Sequence, residues 1–254
     1  LGFRQAVRVC ALVSGIGLVV ALVALPETRP QREADGGRVW GRPDWNRALD
    51  WVRGMGRLDR RILAASYIYF VTLFVSSGVL MSTLGLYLER RWGTDISFGS
   101  AVVGVASLAG MMLGLRAFLG IVAGPVAGIL SDRMGNRWPV VRVGILVAAG
   151  GFLILALLGS VGAVPAGVAA VSLGAGALVA TLAAIVGDLA TEGRQGVTMG
   201  GLATAGDIGS ALGPPLAYAL AVTVDLQWVY LCCALALASG LAATVGQGSR
   251  DAKT

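Results

Sequence analysis

Residues 128–137 read Gly-Ile-Leu-Ser-Asp-Arg-Met-Gly-Asn-Arg and separate two long apolar runs. Gly135 supplies the positive φ that a tight turn requires, at no steric cost. The Asp132 carboxylate suits the N-terminal amides of another helix, where negative charge is favoured. Arg133 and Arg137 suit acids on neighbouring loops. The stretch therefore predicts a tight, charged turn between two helices, and the simplest alternative is an ordinary basic loop beside a membrane.

The composition on both sides of this turn is typical of a membrane protein. Of the 254 residues, 56% are hydrophobic and 13% are charged, whereas soluble domains average about 45–50% and about 25%. Glycine occurs 38 times, and it is more frequent in transmembrane helices than in soluble ones. The mean hydropathy is +0.77. We therefore predict an all-α, multi-pass membrane protein whose surroundings are a lipid bilayer.

The same composition excludes several kinds of site. The chain has no histidine, which removes imidazole acid–base chemistry and His-ligated metals. Cys10, Cys232 and Cys233 lie inside apolar runs, whereas metal and redox cysteines are spaced and accessible. The net charge of +6 comes from basic residues in loops, which indicates membrane topology rather than nucleic-acid binding. We predict no enzyme activity, metal, cofactor or nucleic-acid partner.

The apolar runs predict seven membrane-spanning helices. A span needs about 20 mostly apolar residues, and the runs that qualify are 9–26, 62–88, 99–131, 143–187, 195–224 and 226–249. The run 143–187 is too long for one helix and breaks at the glycines and proline of 159–165, so it predicts two. The run 99–131 predicts a tilted helix or one that leaves the membrane. No basic segment with a cleavage site precedes the first run, so we expect no signal peptide.

The basic residues predict the orientation. If seven spans alternate, fifteen Lys and Arg lie on one side and four on the other, and the positive-inside rule assigns the richer side to the cytoplasm. We predict a helix (1–25), a cytoplasmic loop (26–61), a six-helix unit (62–246) and a cytoplasmic tail (247–254) in a bacterial inner membrane. The loop is either a solvated linker or, through its tryptophans, an amphipathic helix on the inner leaflet.

Three stretches resemble signatures of the major facilitator superfamily, in the order of that family. Residues 128–137 are similar to its loop signature G-x-L-a-D-R-x-G-r-r, with Asn136 where a basic residue is usual. Residues 25–30 resemble its sequence after the sixth helix, and residues 187–201 its loop into the eleventh. The resemblance implies helices six to twelve of a twelve-helix transporter bundle, whose missing partner is the N-terminal half with helices one to five.

The resemblance also implies that the charged turn belongs to a cytoplasmic gate. The expected gate residues are Gly128, Asp132, Arg133, Gly135, Arg137, Asp188 and Arg194. We expect Asp188 to pair with Arg133, and Arg194 to pair with Asp132.

An internal symmetry agrees with this interpretation. Gly124-Pro125 and Gly213-Pro214 lie in the last third of the third and sixth spans, which run in opposite directions. Inverted repeats of three helices predict such a correspondence. Glycine-rich packing of a general kind is the alternative.

Two ionisable residues lie inside the predicted spans, where such residues are functional candidates by default. At about 1.5 Å per residue, Asp207 lies near the middle of the bilayer and Arg116 in its outer half. Asp207 is a candidate proton carrier or cation site, or else a structural anchor. Arg116 is a candidate anion site, or else it snorkels outward. Ser76 and Ser77 are further substrate candidates.

By family analogy the second and fifth spans line the transport cavity. Their polar residues are too few for a sugar or dicarboxylate, whose desolvated groups each need a hydrogen-bond partner. We therefore expect proton-coupled export of small apolar or amphiphilic molecules, as by a drug antiporter. The open alternatives are uptake of a metabolite, and a membrane interaction or regulatory protein that transports nothing.

Overall fold

The computed structural model describes residues 8, 11–17, 19–20, 59–98, 101–158, 160–191, 194–245 and 247. The chain divides into two units, residues 1–53 and 54–254. In the first unit the described residues 11–17 and 19–20 are helical and exposed. The predicted amphipathic helix in the loop, and nearly all of the tail, lie outside the described residues.

The second unit is a bundle of long helices. A rod of 33 residues, Arg60–Trp92, consists of α1 (Arg60–Leu73), a π-helical segment (Phe74–Leu80) and α2 (Met81–Trp92). After a short hairpin come α3 (Val105–Met134), α4 (Trp138–Leu157), α5 (Ala163–Leu189), α6 (Gln195–Thr223) and α7 (Leu226–Ala243). The rod, α3, α4, α5 and α7 are long and apolar enough to cross a membrane. The predicted all-α membrane fold is confirmed.

Helix α6 has the length of a span but is absent from that group of five. Its 29 residues include Pro214, Pro215 and Asp207 together with several glycines, and all of these lower its mean hydropathy. The predicted split of run 143–187 is confirmed, because α4 ends at Leu157 and α5 begins at Ala163.

The start of the third span differs from the prediction. Residues 99–131 were expected to be one helix, but α3 begins at Val105 and is preceded by an antiparallel hairpin of β1 (Asp95–Phe98) and β2 (Ala101–Gly104). Gly93 ends α2 with a φ of 81°, which reverses the chain. The β-branched residues of β2 and the Gly-Ser pair at 99–100 are typical of a short hairpin.

The helices pack as two inverted repeats of three. The second helix of each repeat crosses the first helix of the other, so that α3 packs on α5, and α6 packs on the π segment and α1. The third helices, α4 and α7, pack on α5 and α1 respectively and on each other. The expected symmetry of the two Gly-Pro helices is therefore present in their contacts.

Both symmetry-related crossings depend on glycine. A Cβ at Gly176 of α5 would lie 3.0 Å from the Gly120 carbonyl oxygen of α3. At the other crossing, a Cβ at Gly78 of the π segment would lie 2.7 Å from the Gly213 Cα of α6. A side chain at Gly78 would therefore clash with the backbone of α6, and one at Gly176 would require its neighbours to shift, as in small-residue crossings of membrane helices.

Candidate functional site

A cavity of about 380 Å³ lies between the rod, α3 and α5. Its polar lining consists of Ser76, Ser77, Arg116 and Ser172, and its apolar lining includes Leu73, Ile121 and Val179. Cavities of about 300–1,000 Å³ with apolar walls and a few placed polar groups are typical of small-molecule sites. Three of the four predicted substrate candidates therefore line one cavity.

Arg116 is the charged member of this cavity. It is half-buried on α3, and its Nη2 donates a hydrogen bond to the Ser77 Oγ at 3.0 Å. The hydroxyls of Ser76 and Ser172 donate instead to carbonyls of their own helices, those of Thr72 and Val168, at 2.7 and 2.6 Å. Because the single hydroxyl hydrogen of each serine is already used in these bonds, Ser76 and Ser172 can only accept hydrogen bonds from a molecule in the cavity.

The π segment positions the serine face of the cavity. Segments of π-helix are rare and occur frequently at functional sites, and this one contains both Ser76 and Ser77. Hydroxyl bonds to backbone carbonyls surround it, from Thr72 to Ile68 and from Thr83 to Val79, at 2.7 and 2.8 Å. Sequence reasoning missed this segment, and the Ser-Ser-Gly triplet inside an apolar helix is the signal that it overlooked.

Asp207, the remaining substrate or proton candidate, lies elsewhere. It is exposed on α6 and is absent from the lining of the cavity. The Tyr69 ring of α1 packs against the neighbouring Gly206. Within the described residues, Asp207 and Arg116 form no ion pair. The structure therefore separates the two charges.

The charged turn forms an ion-pair network centred on Arg137. Its Nη2 lies 3.2 Å from the Asp132 Oδ1, and its Nε lies 2.9 Å from the Asp188 Oδ2. The predicted pairs of Asp188 with Arg133 and of Asp132 with Arg194 are wrong, since Arg137 takes both carboxylates. The cause is Gly135, whose φ of 63° confirms the predicted left-handed turn and brings Arg137 back between the ends of α3 and α5.

The other predicted gate residues surround this network without joining it. The side chains of Arg133 and Arg194 are exposed. Gly128 accepts a hydrogen bond from the Ser131 hydroxyl through its carbonyl, at 2.8 Å. We call the end of the bundle that carries Arg137 the Asp132 end.

Asn136, the departure from the family signature, has a local role. Its Oδ1 accepts a hydrogen bond from the Trp138 backbone N–H at 3.0 Å. Trp138 begins α4 and is only 2% exposed. An asparagine oxygen that accepts from the backbone amide two residues later forms an Asx-turn, which a basic side chain cannot make.

Two arginines form hydrogen bonds between helices. The sequence analysis had used them only to predict the membrane topology. At the Asp132 end, Arg142 donates through Nε to the Thr244 Oγ1 at 3.2 Å and through Nη2 to the Thr244 carbonyl at 3.1 Å. At the opposite end, Arg90 donates to the Ala221 carbonyl at 2.7 Å. Both cations lie at helix C-termini, where positive charge is favourable. Sequence alone gave no signal for either contact.

Comparison with known proteins adds family and fold. The sequence profile of the Major Facilitator Superfamily matches residues 105–247. Crystal structures of the peptide transporter POT, in complex with alafosfalin and with sulfate, are similar at 20% and 21% identity, with TM-scores of 0.64 and 0.65. The match covers 76% of this chain and 39% of the transporter, so the chain spans about two fifths of its length. No curated protein sequence matches significantly.

Proposed function

The chain belongs to the major facilitator superfamily, and from that membership we propose that it is the C-terminal part of a secondary active transporter that works by alternating access. In such transporters two helical units rock around a site near the middle of the membrane. The partner that completes the site is the N-terminal half, with helices one to five. The proposed location is the inner membrane, with the Asp132 end and the C-terminus in the cytoplasm.

The observation that carries this proposal is the cavity between the rod, α3 and α5. It is large enough for a small molecule, it holds a charged residue inside a span, and a π segment forms one of its walls. Ionisable residues within spans that face a cavity commonly mark substrate pathways.

The lining of the cavity supports a small apolar or amphiphilic substrate. Leu73, Ile121 and Val179 present hydrocarbon, and two of the three serines have already spent their hydroxyl hydrogens. A sugar would leave most of its hydroxyls unpaired in such a site. We propose export as the direction, coupled to proton entry by antiport.

Arg137 is the proposed centre of the gate at the Asp132 end. Its two ion pairs link α3, α4 and α5, so movement between these helices breaks or reforms them. Pairs that are partly exposed have small net energies, about 0.2–1 kcal/mol. That range suits a gate which opens in every transport cycle.

Asp207 is the proposed proton carrier. It is an exposed carboxylate on the least apolar of the long helices, apart from the Arg116 cavity. Intramembrane carboxylates commonly mark proton relays. Protonation at Asp207 and substrate binding at Arg116 would then be coupled through α6 and the π segment, which are in contact.

The test is flux in proteoliposomes that contain the full-length protein. We expect a proton gradient to drive a lipophilic fluorescent cation or acid across the membrane, and Asp207→Asn to reduce that flux to its rate without a gradient. Asp225→Asn is the matched control, because Asp225 is an exposed acid outside both sites whose side chain makes no capping bond. Flux no faster than in protein-free liposomes, with or without a gradient, would favour a non-transporting membrane protein.

A further inference from the structure

We propose that the Arg116 cavity recognises an amphiphilic monoanion, a molecule with one oxyanion group and an apolar body. This inference rests on the proposed function, because it names the class of substrate for the same cavity. The oxyanion binds the Arg116 guanidinium and the Ser77 hydroxyl. The apolar body lies against Leu73, Ile121 and Val179.

The first argument is the charge of Arg116. A guanidinium stays charged in proteins, and a charge inside a bilayer is costly unless it is paired. The partner of Arg116 is a neutral hydroxyl, that of Ser77. In the helices that the structure describes, no carboxylate lies within ion-pair distance of it. The position therefore lacks a counter-charge that a bound anion supplies.

The second argument is geometric. Arginine presents five N–H donors in a planar fork that matches carboxylate and phosphate oxygens. The Arg116 Nη2 donates a hydrogen bond to the Ser77 Oγ, with 3.0 Å between the two atoms. This bond fixes the guanidinium beside the cavity. As an acceptor in that bond, the Ser77 hydroxyl keeps its own hydrogen and has it to donate. The pair together offers several converging donors to one oxyanion.

The third argument is that this chain compensates one negative charge of the ligand. Arg116 is the only ionisable residue in the lining of the cavity among the described residues. Ser76 and Ser172 add acceptor oxygens, which do not stabilise a second anion. A dianion would leave one charge buried without compensation, at large cost. The remaining walls are aliphatic and favour a hydrocarbon body.

The experiment measures binding, so that it does not depend on transport. Full-length protein in lipid nanodiscs is titrated with 2-naphthoate and with its neutral isostere 2-naphthamide. We expect 2-naphthoate to bind about 10- to 100-fold more tightly, as for a hydrogen bond to a charged group. In Arg116→Gln the preference falls to about 1, with 2-naphthamide binding unchanged.

The controls separate charge from shape. Arg60→Gln removes one positive charge from the exposed start of α1 and keeps the preference. Arg116→Lys keeps the charge without the fork and retains a reduced preference, so it serves as the test if Arg116→Gln fails to fold. Ser77→Ala lowers the preference less than Arg116→Gln does, because the guanidinium remains.

Three results would overturn the inference. The first is that the unmodified protein shows no preference for 2-naphthoate. The second is that Arg116→Gln keeps the full preference. The third is that Arg116→Gln loses affinity for both ligands equally while its melting temperature is unchanged. Failure of the proposed function has a different signature. In that case no compound moves with a gradient, while the charge preference in binding persists.

Discussion

Arg116 and Arg137 are both half-buried arginines that bridge helices, yet their partners differ in kind. Arg137 lies at the end of the bundle between two carboxylates, at 3.2 and 2.9 Å. Arg116 lies within α3 and contacts a single hydroxyl. Because water and two carboxylates compensate the charge of Arg137, its ion pairs can break and reform. Arg116 is held by a neutral hydroxyl, and in the proposed site its charge binds a ligand.

The same difference separates their surroundings. Both acids of the Arg137 network have side chains more than 60% exposed, so its energy is small and sensitive to salt. The Arg116 cavity is lined by aliphatic residues and glycine crossings, where an ionic contact is screened less. Small differences in pairing therefore have larger consequences at Arg116.

We expect the largest effect on ligand binding when Arg116 is given a carboxylate partner, as Arg137 has. Ser77→Asp introduces a carboxylate at the position that already contacts the guanidinium. An internal ion pair then competes with the ligand, and we expect affinity for 2-naphthoate to fall by about 100-fold, equivalent to about 3 kcal/mol. Affinity for 2-naphthamide changes little. Equilibrium binding in nanodiscs measures both.

Ser77→Asn is the matched control for that substitution, since it has the same shape without the charge. We expect it to lower the affinity for 2-naphthoate by less than tenfold. An equal loss in Asn and Asp variants would mean that volume, and not charge, decides binding at this position.

Removing the surface network has a smaller effect. Arg137→Gln breaks both ion pairs and leaves two carboxylates close together, so we expect gradient-driven flux to fall about tenfold, from roughly 0.7 kcal/mol per pair. We expect Asp132→Asn and Asp188→Asn each to lower the flux less than Arg137→Gln does, because each removes only one of the two ion pairs. Membrane insertion, measured by detergent-solubilised yield, stays unchanged.

Arg133→Gln is the informative control for the gate. The resemblance to the family gives Arg133 and Arg137 equal standing, whereas only Arg137 contacts both acids in the structure. We expect Arg133→Gln to retain most of the flux. A loss equal to that of Arg137→Gln would restore the pairing that the sequence predicted.

These residues show how far the sequence determines the result. Hydrophobic runs predicted most of the long helices of the described region, and the positive φ of Gly135 was predicted, because both follow from local chemistry. The partner of Asp188 and the bonds of Arg142 to Thr244 depend on which side chains meet after packing. Sequence spacing contains no record of such contacts between distant helices.

Asn136→Lys, which restores the usual family residue, tests a still smaller effect. It removes the acceptor for the Trp138 N–H, and a typical intramolecular hydrogen bond contributes about 0.5–1.5 kcal/mol to stability. We expect a lower melting temperature with flux close to normal. Asn136→Asp keeps the acceptor and should keep the stability. A more stable Lys variant would mean that ionic contacts of the new lysine with Asp132 and Asp188 stabilise the protein more than the lost hydrogen bond did.

The smallest effect is that of salt, and it compares the two arginines directly. Raising the ionic strength from about 0.1 to about 1 M shortens the Debye length from about 10 to about 3 Å. The flux difference between the unmodified protein and Arg137→Gln should then shrink to about two- or threefold, because its acids are exposed. The preference for 2-naphthoate over 2-naphthamide should change less, since the Arg116 guanidinium is half-buried and bonded to Ser77, and partly buried charges are screened less. If both quantities fell in parallel, Arg116 would be as accessible to solvent as Arg137, and the contrast between a gate cation and a ligand cation would disappear.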